Sequence, residues 1–333
     1  MTKSFDSKAV NGADLAAAVM KGDRRALARA ITLVESTTVQ DQTEAEALLT
    51  RLLPHTGGAI RIGISGAPGV GKSTFIEAFG THLTQLGKRV AVFAIDPSSR
   101  RSGGSILGDK TRMEKLARDP NAYIRPSPAG TTLGGVARRT RESVLLAEAA
   151  GFDVVLVETV GVGQSETAVA DMTDLFVLLA SPGGGDDLQG IKRGVMELAD
   201  LLIVTKADGD LLPAATRAAS DYQAALHLMR PKHPGLFPKV LTVSSVAGQG
   251  IAQAWTEMAA MEAILTAGGG LARLRAEQSR RWFWSEVQTL ISETILEDSA
   301  LAADAARLEA AVGAGASLPA AAARTLLGRF RTA

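Results

Sequence analysis

A nine-residue segment between an apolar run and a helical pattern constrains this chain more than any other feature. It fits G-x-x-x-x-G-K-[ST], the phosphate-binding loop of nucleoside-triphosphate enzymes. Glycines allow a tight bend that turns successive backbone N–H groups toward phosphate oxygens, the lysine adds a positive charge, and the serine hydroxyl can bind Mg²⁺. The pattern predicts a nucleotide site formed by Gly66, Ala67, Pro68, Gly69, Val70, Gly71, Lys72, Ser73 and Thr74.

Seven short apolar runs, most of them separated by helical patterns, predict the fold class. Near-continuous apolar strands that alternate with helices are typical of a mostly parallel sheet covered on both faces. We therefore expect an α/β, three-layer P-loop domain over residues 56–267. The predicted strands are Ile60–Ile64, Val90–Ile95, Ala122–Arg125, Val154–Glu158, Leu175–Leu179, Leu201–Thr205 and Val240–Val243.

Helical patterns flank this domain on both sides. Residues 1–55 carry apolar side chains at three- to four-residue spacing and predict a helical N-terminal extension packed on the main domain. Residues 268–333 follow a run of three glycines and predict a C-terminal helical arm, with one long helix over Leu271–Leu296 and Ala-rich helices to Phe330. The apolar stripe of the long helix must be buried against its own domain or against a second copy.

Composition excludes several classes of function. Lys and Arg together number 36 against 35 Asp and Glu, so the net charge of +1 provides no basic field for nucleic acid or a membrane surface. The absence of Cys and the scattered placement of four His argue against a disulfide framework and a structural zinc. The first thirty residues contain no unbroken apolar run, which predicts neither a signal peptide nor a spanning helix and favours a cytoplasmic location.

Acidic residues follow the predicted strands where a metal site would form. Glu158 begins E-x-x-G, where P-loop enzymes place an acid near Mg²⁺ and a glycine that senses the γ-phosphate. Asp96 ends another strand, and Asp109 lies in the loop after it; each is a candidate to reach the metal directly or through water. The sequence predicts a Mg²⁺ site of Ser73, Asp96, Asp109 and Glu158. Gln164 is a candidate for orienting water, but no Gln directly follows the glycine, so we expect slow intrinsic hydrolysis.

A second motif predicts recognition of guanine. Thr205-Lys206-Ala207-Asp208 approximates N-K-x-D, in which the Asp accepts hydrogen bonds from guanine N1–H and N2–H₂ and the Lys stem covers the base. The departure is Thr205 in place of Asn, which removes an amide that usually braces the phosphate loop. Residues that follow the last predicted strand are expected to line the base; they are Ser244, Ser245 and Val246.

Together these segments resemble the MeaB/ArgK/MMAA family, P-loop GTPases of the SIMIBI class. The resemblance covers nearly the whole chain, and the blocks around Asp109 and Glu158 are far more specific than the phosphate loop. It rests on Gly66–Thr74, Asp96–Ser99, Gly103–Met113, Glu158–Glu166 and Lys206–Asp210.

The resemblance implies a homodimeric, GTP-hydrolysing chaperone that gates cofactor delivery to adenosylcobalamin-dependent methylmalonyl-CoA mutase and protects the mutase. Members of the family have a helical N-terminal extension and a C-terminal dimerisation arm, which are similar to the helices predicted here at the two ends of the chain. Residues implied in catalysis are Lys72, Glu158, Asp109 and Gln164. Ser181–Lys192 resembles the family's third switch, which would signal nucleotide state to the mutase through Gly183, Asp186, Asp187, Gln189 and Lys192.

Three alternatives stay open from the sequence. A small-molecule kinase of the arginine or ornithine transport type shares the phosphate loop, but it needs an acceptor pocket with a base beside it. A metallochaperone GTPase for nickel enzymes fits poorly with zero Cys and dispersed His. A nucleotide-dependent scaffold, in which hydrolysis is incidental, is the third.

Overall fold

The computed structural model describes residues 12–95, 113–125, 133–159, 165–182 and 193–330. Its helices are α1 (Gly12–Met20), α2 (Arg24–Glu35), α3 (Val39–Leu52), α4 (Lys72–Gln85), α5 (Glu114–Arg118), α6 (Leu133–Ala149), α7 (Ser165–Ala170), α8 (Arg193–Met196), α9 (Leu212–His227), α10 (Ile251–Ala267), α11 (Gly270–Glu297), α12 (Ser299–Gly313) and α13 (Pro319–Phe330). Its strands are β1 (Ile60–Gly66), β2 (Val90–Ile95), β3 (Ala122–Arg125), β4 (Val154–Thr159), β5 (Leu175–Ala180), β6 (Leu201–Val204) and β7 (Lys239–Thr242).

The strands form one sheet in the order β3-β2-β4-β1-β5-β6-β7, and every pairing between neighbours is parallel. This confirms the α/β class and the seven predicted strands, with ends that shift by one or two residues. β2, β4, β5 and β6 are buried along their whole length. Burial on both faces explains why these strands read as apolar runs rather than as alternating patterns.

Helices cover both faces of the sheet, which makes the domain three-layered. Alternate residues of each strand point to opposite faces, as Val154 and Val155 do. On one face α4, α5 and α10 pack against the sheet, with Phe75 and Phe79 of α4 stacked at a centroid distance of 5.3 Å. On the other face lie α6, α7 and α9, and α1 to α3 join the same hydrophobic core.

The N-terminal helices are fastened to the sheet domain by polar contacts as well. Glu35, the last residue of α2, forms a bidentate ion pair with Arg125 at the end of β3, and one of its two contacts is 3.2 Å. Arg24 donates to the carbonyl oxygens of Asp119 and Pro120 at 3.1 and 3.2 Å. A bidentate arginine–carboxylate pair sets orientation as well as distance, so α2 has a defined position against β3.

The chain forms two compact units, residues up to Leu271 and residues from Ala272 onward. The first holds the sheet and α1 to α10. In the second, α12 and α13 pack together, and Asp304 accepts from Arg307 at 3.2 Å and also pairs with Arg329. The hydrogen bond from Arg329 is the main cause that lowers the pKa of Asp304. None of the described helices combines the length and the apolar composition of a membrane span.

Candidate nucleotide site

Sheet topology places the predicted phosphate loop at the carboxyl ends of the strands, where the strand order reverses. The chain leaves β1 toward β2 on one side, and it leaves β4 toward β5 on the other, so the strand order reverses beside β1. In open parallel sheets, ligands bind outside the carboxyl ends of the strands at such a reversal. The loop after β1 is the predicted phosphate loop, and it lies between the ends of β4 and β5.

The phosphate loop has a backbone that two of its glycines make possible. A Cβ on Gly66 would lie 2.6 Å from the carbonyl oxygen of Leu179 on β5, so no larger residue fits there without a shift of backbone. Gly71 has a φ of 98°, in the left-handed region that favours glycine, and α4 begins at the next residue. No side chain in the described ranges caps the N-terminus of α4. Its first N–H groups are therefore suited to an anion.

Lys72 is the first residue of α4, and its side chain folds back over the loop. Its ammonium donates to the carbonyl oxygens of Gly66 at 2.7 Å and Ala67 at 3.2 Å. Partial burial lowers the pKa of Lys72, while the nearby carboxylates of Glu158 and then Glu166 act in the opposite direction. The arrangement places a cation at the mouth of a loop whose backbone suits phosphate.

Glu158 and Ser73, two of the predicted metal ligands, lie in contact. The Ser73 hydroxyl donates to Oε1 of Glu158 at 3.5 Å, although the two residues are far apart in sequence. Glu158 is only 4% exposed, and a buried carboxylate needs a cation or hydrogen-bond donors. Two oxygen ligands this close, at a helix N-terminus, fit the preference of Mg²⁺ for oxygen. The described ranges contain no group of three or more His, Cys, Asp or Glu able to hold a metal.

Asp208, the predicted guanine reader, is held by a second predicted residue. The hydroxyl of Ser244 donates to Oδ2 of Asp208 and accepts from the backbone N–H of Ala247 at 3.1 Å. Ser244 is fully buried, whereas Val246 is largely exposed. The carboxylate is thus oriented by Ser244 from the loop after β7, and the exposed side chain of Val246 belongs to the same loop.

Thr205 lacks the amide of the usual Asn, but its hydroxyl contacts the phosphate loop. Its hydroxyl is directed at the carbonyl oxygens of Val70 at 2.7 Å and Ala180 at 3.1 Å. Lys206 adds a second brace, since its ammonium donates to the carbonyl oxygen of Gly69 at 2.8 Å. Lys206 has a φ of 55°, a strained conformation for a residue with a side chain, which typically costs about 1–3 kcal/mol.

Several predicted residues lie outside the described ranges. The metal and water candidates among them are Asp96, Asp109 and Gln164, and the switch candidates are Gly183, Asp186, Asp187, Gln189 and Lys192. Sequence reasoning gave no role to Glu166, a buried acid in the first turn of α7 that influences the pKa of Lys72. The signal for it in the sequence is an acidic residue in the first turn of the helix that follows E-x-x-G.

The fold and site define a P-loop nucleotide-binding protein whose motifs are those of a GTPase. A family model described as "Methylmalonyl Co-A mutase-associated GTPase MeaB" matches residues 27–300. The chain therefore belongs to the MeaB family and is a GTPase.

Relatives with known names agree with this assignment. A "Putative GTPase" of Caulobacter vibrioides is 56% identical over 94% of this chain and 95% of its own length. The "Methylmalonic aciduria type A homolog, mitochondrial" of Mus musculus is 48% identical over 94% of this chain and 78% of its own. A solved structure described as "LAO/AO transport system kinase" is 37% identical, covers 98% of this chain and 100% of its own, and has a TM-score of 0.77.

Proposed function

We propose that this GTPase gates delivery of the cobalamin cofactor to an adenosylcobalamin-dependent methylmalonyl-CoA mutase and protects the mutase from inactivation. The observation that carries this proposal is the match of residues 27–300 to a family described as associated with that mutase. The mouse relative, named for methylmalonic aciduria, supports the same target. A cytoplasmic location stays a prediction.

In the proposed nucleotide site, one set of residues binds the phosphates of GTP and another binds the base. The phosphate loop and Lys72 bind the phosphates, and Asp208 reads guanine with Ser244, Ser245 and Val246 around the base. Mg²⁺ held by Ser73 and Glu158, with Asp96 and Asp109 as further candidates, supplies charge neutralisation at the phosphates. Support comes from the 3.5 Å contact between Ser73 and Glu158 and from the partly buried contact between Ser244 and Asp208.

The mutase should raise the rate of GTP hydrolysis. We expect a low rate for the purified protein alone and a rate at least about tenfold higher with the mutase, because catalysis of phosphoryl transfer is positioning and charge stabilisation that a partner can complete. The measurement is phosphate release with GTP, with ATP as the control nucleotide. A GTP rate that the mutase leaves unchanged, together with unaltered inactivation of the mutase, would contradict the proposal.

A variant in the predicted switch separates signalling from hydrolysis. Lys192→Ala should keep the intrinsic rate and lose most of the stimulation by the mutase. Arg193→Ala, at the next position, is the matched control and should retain stimulation. Loss of the intrinsic rate in Lys192→Ala would place this residue in catalysis instead.

We also propose that the C-terminal arm forms a homodimer interface. Phe283 and Trp284 of α11 are 59% and 62% exposed, and their rings meet edge to face at a centroid distance of 5.4 Å. Leu290 and Ile291 follow seven residues later, so the four side chains lie along one stripe of the helix, and both are exposed. A stripe of this kind favours a partner helix.

Substitution of this aromatic pair should dissociate the dimer. Phe283→Ser with Trp284→Ser should shift the protein to monomers at micromolar concentration, because buried aromatics dominate interface energies at about 2 kcal/mol or more each. Sedimentation velocity measures the change. Phe237→Ser, which replaces an exposed aromatic residue outside the C-terminal arm, is the control and should remain dimeric. A dimer that persists in the double variant would exclude this interface.

A kinase is the second candidate because the solved structure with a TM-score of 0.77 is described as one. If this chain were a small-molecule kinase, arginine or ornithine would receive phosphate from GTP faster than inorganic phosphate is released. We expect no such transfer, because Asp208 and the E-x-x-G segment suit a GTPase. Chromatography of reactions with labelled GTP decides between them.

A further inference from the structure

Two buried hydroxyls join the ends of β1 and β4, the strands that lead into the phosphate loop and into E-x-x-G. Oγ of Ser65 lies 2.9 Å from Oγ1 of Thr159, and either hydroxyl can donate. The two residues are only 1% and 0% exposed. We propose that this hydroxyl pair positions Glu158 against the phosphate loop and thereby sets the affinity of the GDP-bound protein for Mg²⁺. The inference rests on the proposed nucleotide site.

The hydroxyl pair lies where three strand ends that lead to predicted metal ligands meet. Ile64 of β1 is in register with Glu158 of β4, so the next row of the sheet joins Ser65 to Thr159. On its other side Thr159 is in register with Ile95, the last residue of β2. β1 leads to the phosphate loop, β2 to the next predicted acid, and β4 carries Glu158 itself. A shift at this row would therefore move the predicted ligands relative to one another.

Contacts on both faces of the sheet hold the end of β4. Successive residues of a strand point to opposite faces, and Val157 belongs to the core that α6, α7 and α9 cover. Thr159 points to that same face. Glu158 points to the opposite face, where it contacts Ser73 of α4. The hydroxyl bond thus fixes the end of β4 to β1 from one side while Glu158 reaches the phosphate-loop helix on the other.

The apolar surroundings make the bond between these hydroxyls important. Val157 and Leu178 are their buried neighbours on this face of the sheet. Removal of one hydroxyl leaves the other buried without this partner, which costs more than the bond itself contributes. Movement of the strand ends can relieve that cost, and such a movement changes the distance between Glu158 and Ser73.

Release of fluorescent GDP at increasing Mg²⁺ concentration tests the proposal on the full chain. Mg²⁺ that binds nucleotide and protein together should slow release, so its half-maximal concentration reports its affinity. Thr159→Val keeps the shape of the side chain and removes the hydroxyl. We expect it to raise the half-maximal Mg²⁺ concentration roughly tenfold, because a buried hydrogen bond is lost. Release without Mg²⁺ should stay within about twofold of the wild-type rate, since the guanine contacts are unchanged. Thr159→Ser keeps the hydroxyl and should retain the wild-type Mg²⁺ dependence.

Ser65→Ala tests whether the two hydroxyls act as a pair. It should raise the half-maximal Mg²⁺ concentration about as much as Thr159→Val does. The double variant should show no more than the shift of one single variant, since the same bond is lost in each case. Shifts that multiply in the double variant would overturn the proposal. If Thr159→Val does not fold, Ser65→Ala is compared with Thr159→Ser, and equal half-maximal concentrations in those two would overturn it as well.

A matched control separates positioning from general stability. Thr140 on α6 is also buried, but its hydroxyl donates to the carbonyl oxygen of Val136 in its own helix at 2.9 Å. Thr140→Val should leave the Mg²⁺ dependence of GDP release unchanged even where it lowers the melting temperature. A shift as large as that of Thr159→Val would assign the effect to general destabilisation and refute the positioning role.

The outcomes distinguish this inference from the proposed site. If the wild-type protein fails to bind GDP, or if Mg²⁺ does not slow its release, the site itself is wrong. If Mg²⁺ slows release from the wild type, Glu158→Gln loses this effect, and Thr159→Val keeps the wild-type half-maximal concentration, the site stands and the role of the hydroxyl pair is refuted.

Discussion

Asp208→Asn should change the base that this protein prefers from guanine to xanthine. The carboxylate of Asp208 can accept from both N1–H and N2–H₂ of guanine, and the contact from Ser244 holds it in place. Hydrogen bonds to a charged group contribute about 1.5–3 kcal/mol each, so affinity for GTP should fall by a factor on the order of a hundred or more. Xanthine carries an oxygen in place of the N2 amine, and the amide of Asn can donate to it.

Competition against fluorescent GDP with GTP, XTP and ATP measures this change. Asp210→Asn is the matched control, because Asp210 lies two residues away in an exposed turn and receives the same substitution. It should keep the wild-type preference. Equal affinity for GTP in Asp208→Asn and the wild type would show that guanine is read elsewhere.

Lys72→Met should nearly abolish GTP hydrolysis. The ammonium lies at the carbonyl oxygens of Gly66 and Ala67, and the carboxylates of Glu158 and Glu166 favour its charge against the effect of burial. Removal of one well-placed charge donor from a phosphoryl-transfer site typically costs about 10²–10³ in kcat. Methionine keeps the length of the side chain, so the phosphate loop should still fold.

Single-turnover hydrolysis with saturating GTP measures this loss apart from binding. Lys21→Met, at an exposed position in the turn after α1, is the control and should hydrolyse GTP as the wild type does. Circular dichroism should show the same helix content in both variants. A hydrolysis rate in Lys72→Met within about threefold of the wild type would remove Lys72 from catalysis.

Periodicity and motifs were sufficient for the elements that build the site. The run at Val154 is apolar along its whole length because β4 is buried on both faces, and its predicted end at Glu158 differs from the observed end by one residue. The phosphate loop could be located because its backbone requires glycine at Gly71, whose φ of 98° lies in the left-handed region just before α4. Local chemistry dictates such features, and local chemistry is visible in a sequence.

Contacts between distant segments could not be predicted in the same way. From the motif, Thr205 indicates only that the amide of Asn is missing. The identity of a residue does not reveal which carbonyl oxygens lie next to it, here those of Val70 and Ala180. Glu166 gave no signal for the same reason, since its effect on Lys72 depends on where α7 packs. The ion pair between Glu35 and Arg125 likewise joins an N-terminal helix to a strand end ninety positions along the chain.

The sequence by itself determined the α/β class, the seven strands, the phosphate loop and the guanine motif, because each follows from periodicity or from backbone geometry within a few residues. Only the tertiary structure decided how these parts are connected: Glu158 against Ser73, Ser244 against Asp208, and Thr205 between Val70 and Ala180. The physical reason is that strand order and helix packing set distances between segments, and the strength of a hydrogen bond depends on those distances and on its angle.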